Sequence, residues 1–286
     1  MKLSLGTVQF GKKYGISNRS GIVTVNEAEK ILITAKEAGI KMIDTANSYG
    51  ESENILGSIG VNEFNIVSKL QFIESEPIDK NFVEQKVLST LKRLRVNSLY
   101  GLLIHNIDNI ELKYIDKIFH SLSVLKKNKL VKKVGISVYS PSIIDKFIKS
   151  YDFDIIQSPI NIFDRQLNMY GRLALLNKKK IEVHARSIFL QGLLTMNSQE
   201  RPKYFETWNK LFNDYDKWIK EKKILPLKAC LNFVLNIKKI NKIIIGVQSS
   251  QQLKQIINLS YDPYIKFPDE IQSTNPQLIN PSNWKI

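Results

Sequence analysis

Cysteine is almost missing from this chain of 286 residues. The single one, Cys230, lies in the helical pattern LPLKACLNFVLNI and has no partner for an internal disulfide. A disulfide framework is therefore excluded, and a small buried side chain is the reading that remains. Histidine is scarce as well, with three residues, and no cluster of His, Cys, Asp and Glu has the spacing of a metal site. No apolar run approaches the ~20 residues of a membrane helix. The opening MKLSLGTVQFG lacks the long apolar stretch and small-residue cleavage site of a signal peptide, so a soluble, cytoplasmic protein without a membrane partner is expected. The fingerprint GxGxxG is absent, which excludes a nucleotide held in the Rossmann manner. No Pro/Gly/Ser-rich linker and no repeat of fixed period divides the chain, and one domain over residues 1–286 is favoured.

Charge is what the chain has in excess. Lys and Arg number 42 against 27 Asp and Glu, a formal net charge of +15. Such a surplus invites a nucleic-acid reading, because neutralising phosphates supplies most non-specific affinity. The distribution argues against it. Lysine is spread along the chain beside abundant isoleucine and asparagine, as an AT-rich genome produces. Its densest clusters, KKNKLVKK at 126–133 and NKKK at 177–180, lie just before strand-like runs, where helix ends and loops favour cations. A solvated surface is the reading, with no nucleic-acid partner.

Apolar runs and amphipathic stretches alternate with little interruption. After KLSLGTV come a helix from Val25 to Ala38, a strand to Asp44, a helix over Ser52 to Ile59, a strand Asn65 to Lys69 and a helix Lys80 to Leu94. Strand Leu99 to His105, helix Leu112 to Lys127, strand Val131 to Val138, helix Ser142 to Tyr151 and strand Asp154 to Gln157 follow. A helix around Gln166 to Asn177, strand Ile181 to Ala185, a helical region, strand Lys242 to Ile245 and a helix Gln251 to Asn258 complete the series. Eight strands, each followed by helix-like sequence, predict a single-domain α/β fold, the closed (β/α)8 TIM barrel. Thr24 with Glu27 forms a capping box, and Ser140-Pro141 and Ser249 open two more helices. Asn197 to Lys223 inserts an aromatic-rich helix before the last βα unit, and a proline-bearing, irregular C-terminal tail runs from Ser260. Either could wall a substrate pocket.

Three successive apolar runs end on ionisable residues: Asp44, Lys69 and His105, with Tyr49 five residues after the first. Neighbouring parallel strands lie ~4.8 Å apart, so these four side chains converge at the carboxyl end of the sheet. A buried structural ion pair is the plain alternative for Asp44 and Lys69. As a group they describe an acid. Tyrosine with a pKa near 10 donates weakly, an adjacent ammonium at Lys69 would make it a better acid, and Asp44 would keep that lysine charged. His105 would orient a carbonyl oxygen or pass a proton. A proton donor over a carbonyl, with no metal cluster or activated serine, calls for hydride from a nicotinamide cofactor.

DTANSYGESENILG at 44–57 closely resembles the signature of the aldo-keto reductase family. SK at 68–69, LLIHN at 102–106, KKVGIS at 132–137, QSPINIFDR at 157–165, FLQGLL at 189–194 and IIIGVQSSQQL at 243–253 follow in that family's order. GTVQFGKKYGISN together with HARSIFLQGLL is most similar to a bacterial subgroup. The resemblance implies a (β/α)8 barrel that binds NADP(H), or alternatively NAD(H), across its carboxyl face and reduces the carbonyl of an aldehyde, ketone or open-chain sugar. It implies Tyr49 as proton donor, supported by Asp44, Lys69 and His105. For the cofactor it implies Gly6, Thr7 and Asp44 among the binding residues, Ser137 and Gln157 on the nicotinamide carboxamide, Arg186 stacked on the nicotinamide ring, Ser187 to Gly192 along the pyrophosphate, and Gly246, Gln248 and Gln252 on the adenine side. Four positions depart from the pattern. Val138 replaces an asparagine, Arg186 a tyrosine, Gln248 the arginine that commonly clamps the 2′-phosphate, and Ile256 an asparagine. The same barrel also serves as a cofactor-binding regulatory subunit with slow turnover, which is the alternative function. Gln9 to Tyr14, Asn106 to Asn109, Phe163, Trp208 and Trp218 are expected to shape the substrate site. His120 and Trp208 read as helix residues and His184 as a strand residue, outside the chemistry.

Overall fold

The computed structural model describes residues 1–72, 80–105, 107, 110–260 and 265–286. Eight parallel strands close into a barrel in chain order: β1 (Leu3–Gly6), β2 (Met42–Asp44), β3 (Asn65–Gln71), β4 (Leu99–His105), β5 (Val131–Ser137), β6 (Ile155–Pro159), β7 (Glu182–Arg186) and β8 (Lys242–Gly246). β8 returns to β1, with Gly6 opposite Gly246. The strands are rich in Ile, Val and Leu because helices cover their outer face while side chains fill the lumen. In the lumen Met42, Val67, Leu103 and Ile155, contributed only by strands, form a separate cluster.

Helices α1 (Val8–Gly11), α2 (Val25–Glu37), α3 (Ser52–Ile59), α4 (Lys80–Leu94), α5 (Leu112–Lys127), α6 (Ser142–Ser150) and α7 (Arg172–Lys178) alternate with the strands. α2 shows why: Ala28, Ile31, Leu32 and Ala35 recur at helical spacing and are buried against the sheet. Thr24 caps it by accepting the Glu27 amide at 3.3 Å. The Glu27 carboxylate does not close the expected capping box; it reaches Ser250 instead. Ser140-Pro141 opens α6 without a side-chain cap, since the Ser140 hydroxyl pairs with that of Ser142. Between Gln166 and Gly171 a 3₁₀ turn replaces the expected helix, because Tyr170 and Gly171 take left-handed backbone angles that end it before α7.

The insertion and tail form a second core. α8 (Asn209–Lys222) contributes Phe212, Tyr215 and Trp218, and the 3₁₀ turn Lys203–Trp208, where the sequence suggested regular helix at Trp208, contributes Phe205. These pack with Leu190, Leu193 and Cys230, the last on α9 (Pro226–Leu235), and with Ile271, Leu278 and Ile279 of the tail. α10 (Ser250–Leu259) precedes the tail, and α11 (Pro276–Ile279) lies within it. Trp284 fixes the end of the chain: its indole N–H donates to Leu278 at 2.9 Å and its ring meets Phe205 edge-on at 4.9 Å. The tail is thus packed rather than simply irregular; Pro263 lies outside the described residues. Among the described residues no helix is long and apolar enough to cross a membrane.

Candidate active site

Strand register gathers the candidate residues on one rim. Gly6 pairs with Asp44, Asp44 with Val67, Gln71 with His105, His105 with Ser137, Ser137 with Gln157, and Pro159 with Arg186. Lys69 is not the end of its strand, which runs on to Gln71. It lies two residues past Val67 and so projects from the same face of β3.

The ammonium of Lys69 is buried and spends its donors on three acceptors: Asp44 Oδ2 at 2.6 Å, the Thr45 carbonyl at 2.9 Å and Tyr49 Oη at 3.2 Å. The other Asp44 oxygen accepts from the Gln157 amide at 2.7 Å, and Gln157 in turn accepts from Ser137 Oγ at 3.5 Å. His105 meets the Tyr49 ring edge-on at 6.0 Å, and its Nδ1 lies 3.3 Å from Ser48 Oγ.

The loop carrying Tyr49 is held by the rest of its motif. Ser52 donates to the Thr7 carbonyl at 2.9 Å, while buried Glu53 accepts from Ser68 at 2.7 Å and Arg93 at 2.8 Å. A Cβ on Gly11 would sit 1.8 Å from the Tyr49 carbonyl, and Gly50 turns at φ +55° directly against Gly11. Only glycine fits that contact.

Burial, followed by the Asp44 carboxylate, pushes the Tyr49 phenol well above its usual 10. The sequence suggested that Lys69 would make the phenol an easier acid; in the unliganded site burial and Asp44 move it the other way. Burial also lowers Lys69, against the opposing pull of Asp44. His105 falls to about 3, first through burial and then through the positive charges of Lys69, Arg186 and Lys12. A neutral imidazole orients a carbonyl oxygen but is a poor source of protons. Because its folded pKa lies below the unfolded value of ~6.5, its neutral state contributes stability fully above that pH and loses it as pH falls toward 3. We expect His105→Asn to lose less stability than the native chain between pH 7 and 4, as measured by urea denaturation at each pH; parallel pH profiles would reject this.

A cavity of ≈ 350 Å³ opens above these groups. Gly6, Thr7, Asp44, Tyr49, His105, Gln157, Arg186, Ser187, Gly192, Gly246, Gln248 and Gln252 line it, whereas Lys69 and Ser137 lie behind, acting through Tyr49 and Gln157. Val138 is buried, and its carbonyl accepts from Arg186 at 2.9 Å; Ile256 lines the far end. Gln9, Lys12 and Tyr14 form part of the wall as expected. Phe163, Trp208 and Trp218 do not: Phe163 packs edge-on against Phe212 and Tyr215, and the tryptophans belong to the second core. Asn106, Asp108 and Asn109 lie outside the described residues. Sequence reasoning missed Tyr139, whose ring lies 4.4 Å under the Arg186 guanidinium, and Gln71. The i, i+2 alternation from Lys69 pointed to Gln71; Tyr139 had no signal beyond following β5.

Comparison with known proteins places this fold in a family. The model of the aldo/keto reductase family matches residues 2–266. The chain belongs to the aldo/keto reductase family. Members of this family are oxidoreductases, and the uncharacterized oxidoreductase YqkF of Bacillus subtilis (strain 168) is 28% identical over 182 residues, 59% of this chain and 58% of that protein. The aldo/keto reductase barrel also superposes on the holo form of AKR11C1 from Bacillus halodurans, with a TM-score of 0.72, 18% identity and coverage of 93% of this chain and 88% of that one. The glycerol dehydrogenase AKR11B4 from Gluconobacter oxydans gives the same TM-score and coverage at 21% identity.

Proposed function

We propose that the protein is an NAD(P)H-dependent reductase of aldehydes, ketones or open-chain sugars, with Tyr49 as proton donor. One observation carries the reading: Lys69 donates to Tyr49 Oη, so the phenol's own hydrogen is free to point at a carbonyl oxygen in the cavity. The residues also fit a dinucleotide. Gln9 Oε1 is buried in the cavity wall without a partner, and Ser187, Leu190, Gln191 and Gly192 all take left-handed backbone angles in the loop that borders it. Strained backbone of this kind persists where a ligand uses it. A reduced nicotinamide held here would supply the hydride equivalent for reduction of a carbonyl carbon, and Tyr49 would give its proton to the carbonyl oxygen, so that an alcohol would result. Gln157, positioned by Ser137 behind it, would hold the carboxamide, Arg186 the ring face and loop 187–192 the pyrophosphate. A screen of NADH and NADPH turnover against a carbonyl panel tests the reading; a complete absence of turnover with cofactor bound would favour the regulatory alternative.

The α10 end bears on the choice of cofactor. Gln248 and Gln252 are uncharged, and Gln252 Oε1 is engaged by the Gln248 amide at 2.8 Å. Glu27 accepts from the Ser250 amide at 2.7 Å and its hydroxyl at 2.9 Å, so a carboxylate already occupies the favourable end of the helix dipole. A 2′-phosphate here meets that carboxylate and no arginine, which moves the proposal from NADP(H) toward NAD(H). We expect Gln248→Arg with Glu27→Gln to raise kcat/KM for NADPH relative to NADH by ~10-fold, about the effect of one charge-assisted contact. An unchanged ratio would mean that this end does not face the phosphate.

A further inference from the structure

The walls of the cavity are unevenly charged. Its lining includes one carboxylate, Asp44, and two cations, Lys12 and Arg186. Asp44 is consumed: one oxygen holds Lys69 and the other Gln157. Arg186 bonds the Val138 carbonyl and Ser187 Oγ and stacks on Tyr139, but no carboxylate pairs with it among the described residues. The exposed Lys12 ammonium makes no hydrogen bond or ion pair among the described residues; only its backbone N–H is used, on the Val8 carbonyl. Asp164 lies within the electrostatic reach of Arg186, but its carboxylate is buried and accepts from its own turn at Gln166 and makes no ion pair with Arg186 among the described residues. Gly11 packs directly against the Tyr49 carbonyl, so Lys12 next to it stands at the carbonyl end of the cavity, and His105 feels the positive charges of both Lys12 and Arg186.

We infer that the carbonyl substrate is itself an anion, carrying a carboxylate or phosphate that Lys12 and Arg186 neutralise while its carbonyl lies between Tyr49 and His105. Two unpaired cations facing one recessed cavity hold a like-charged or neutral ligand poorly and an anion well. A guanidinium with unspent N–H groups suits either oxyanion, and a lysine at the lip acts as a point charge on its outer side. The chemistry remains the two-electron reduction proposed above, and the inference rests on that reading for the site's location.

Matched pairs test it: 4-oxobutanoate against butanal, 4-formylbenzoate against benzaldehyde, and glyceraldehyde 3-phosphate against glyceraldehyde, each with saturating NADH and with saturating NADPH, so that the dinucleotide's own phosphates are already in place. The anionic member of at least one pair is expected to show kcat/KM at least 10-fold higher. The advantage should shrink with added salt and collapse in Lys12→Gln. The carboxylate and phosphate arms identify which oxyanion is preferred. Equilibrium binding of the same pairs by calorimetry gives a readout independent of turnover. Preferential binding of the anion without turnover supports the charge inference while removing the reductase reading. Turnover or binding with equal or better performance by the neutral members overturns the inference and leaves the reductase reading standing. Absence of a preference in both assays overturns it as well.

Discussion

Tyr49→Phe is expected to abolish carbonyl reduction while leaving cofactor binding unchanged. The substitution removes one oxygen and keeps the ring, so the edge-on contact with His105 and the Lys69 ammonium 4.8 Å over the ring face both survive. What disappears is the Lys69 hydrogen bond and the proton aimed at the substrate. Loss of a positioned general acid costs typically ~10²–10⁴-fold in rate. Single-turnover measurements should show the fall in the chemical step, and fluorescence titration should return the native Kd for the dinucleotide. Retention of most activity would defeat the assigned role, because burial disfavours a protonated His105 and among the described residues no other hydroxyl shares the bond to Lys69.

Lys69→Met should be the most damaging change to stability within the site. The native pair is almost fully enclosed, with side-chain exposures of 1% for Lys69 and 5% for Asp44. Methionine fills much of the volume but leaves a carboxylate held by Gln157 alone, and breaking one side of a buried pair costs about 3–5 kcal/mol. Activity should vanish along with the hydrogen bond to Tyr49. Urea unfolding measures the first effect. The double variant Asp44→Asn/Lys69→Met separates the causes: removing the orphaned charge should restore part of the stability without restoring turnover. Native-like stability in the single variant would show that Asp44 is solvated or protonated there and that the pair contributes little.

The barrel was legible because its signal is distributed. Eight apolar runs with amphipathic stretches between them survive errors of a residue or two at each boundary, as β3 illustrates by continuing two residues past Lys69. That Asp44, Tyr49, Lys69 and His105 meet on one rim was legible for a different reason. Charges at the ends of buried strands have few structural uses, and the parallel register brings consecutive strand ends together whatever the loops do. The sign of the effect on Tyr49 was not legible, since it depends on how deeply the ring and Asp44 are enclosed, a property of the whole rim. The roles of Phe163, Trp208 and Trp218 also escaped. Aromatic residues near a barrel mouth suit a ligand wall and a satellite core equally well in sequence, and here the insertion and the tail satisfied each other. Glu27 shows the same limit at a single residue: its capping pattern was correct for Thr24, but a partner more than two hundred positions away at Ser250 offered two donors and won.

The closure of β8 on β1, with Gly6 against Gly246, also constrains how the protein comes into being. The cavity takes wall residues from β1 and from β8 and α10, so during synthesis it cannot assemble until the chain through Ile256 has left the ribosome. Until then β1 is an unpaired edge on its β8 side, and Thr7 and Gln9 face no partner from the last βα unit. Pairing so remote in sequence is slow to form. A nascent chain halted before β8 should therefore be open to proteolysis and unable to retain dinucleotide, even though Asp44, Tyr49, Lys69 and His105 have all been made.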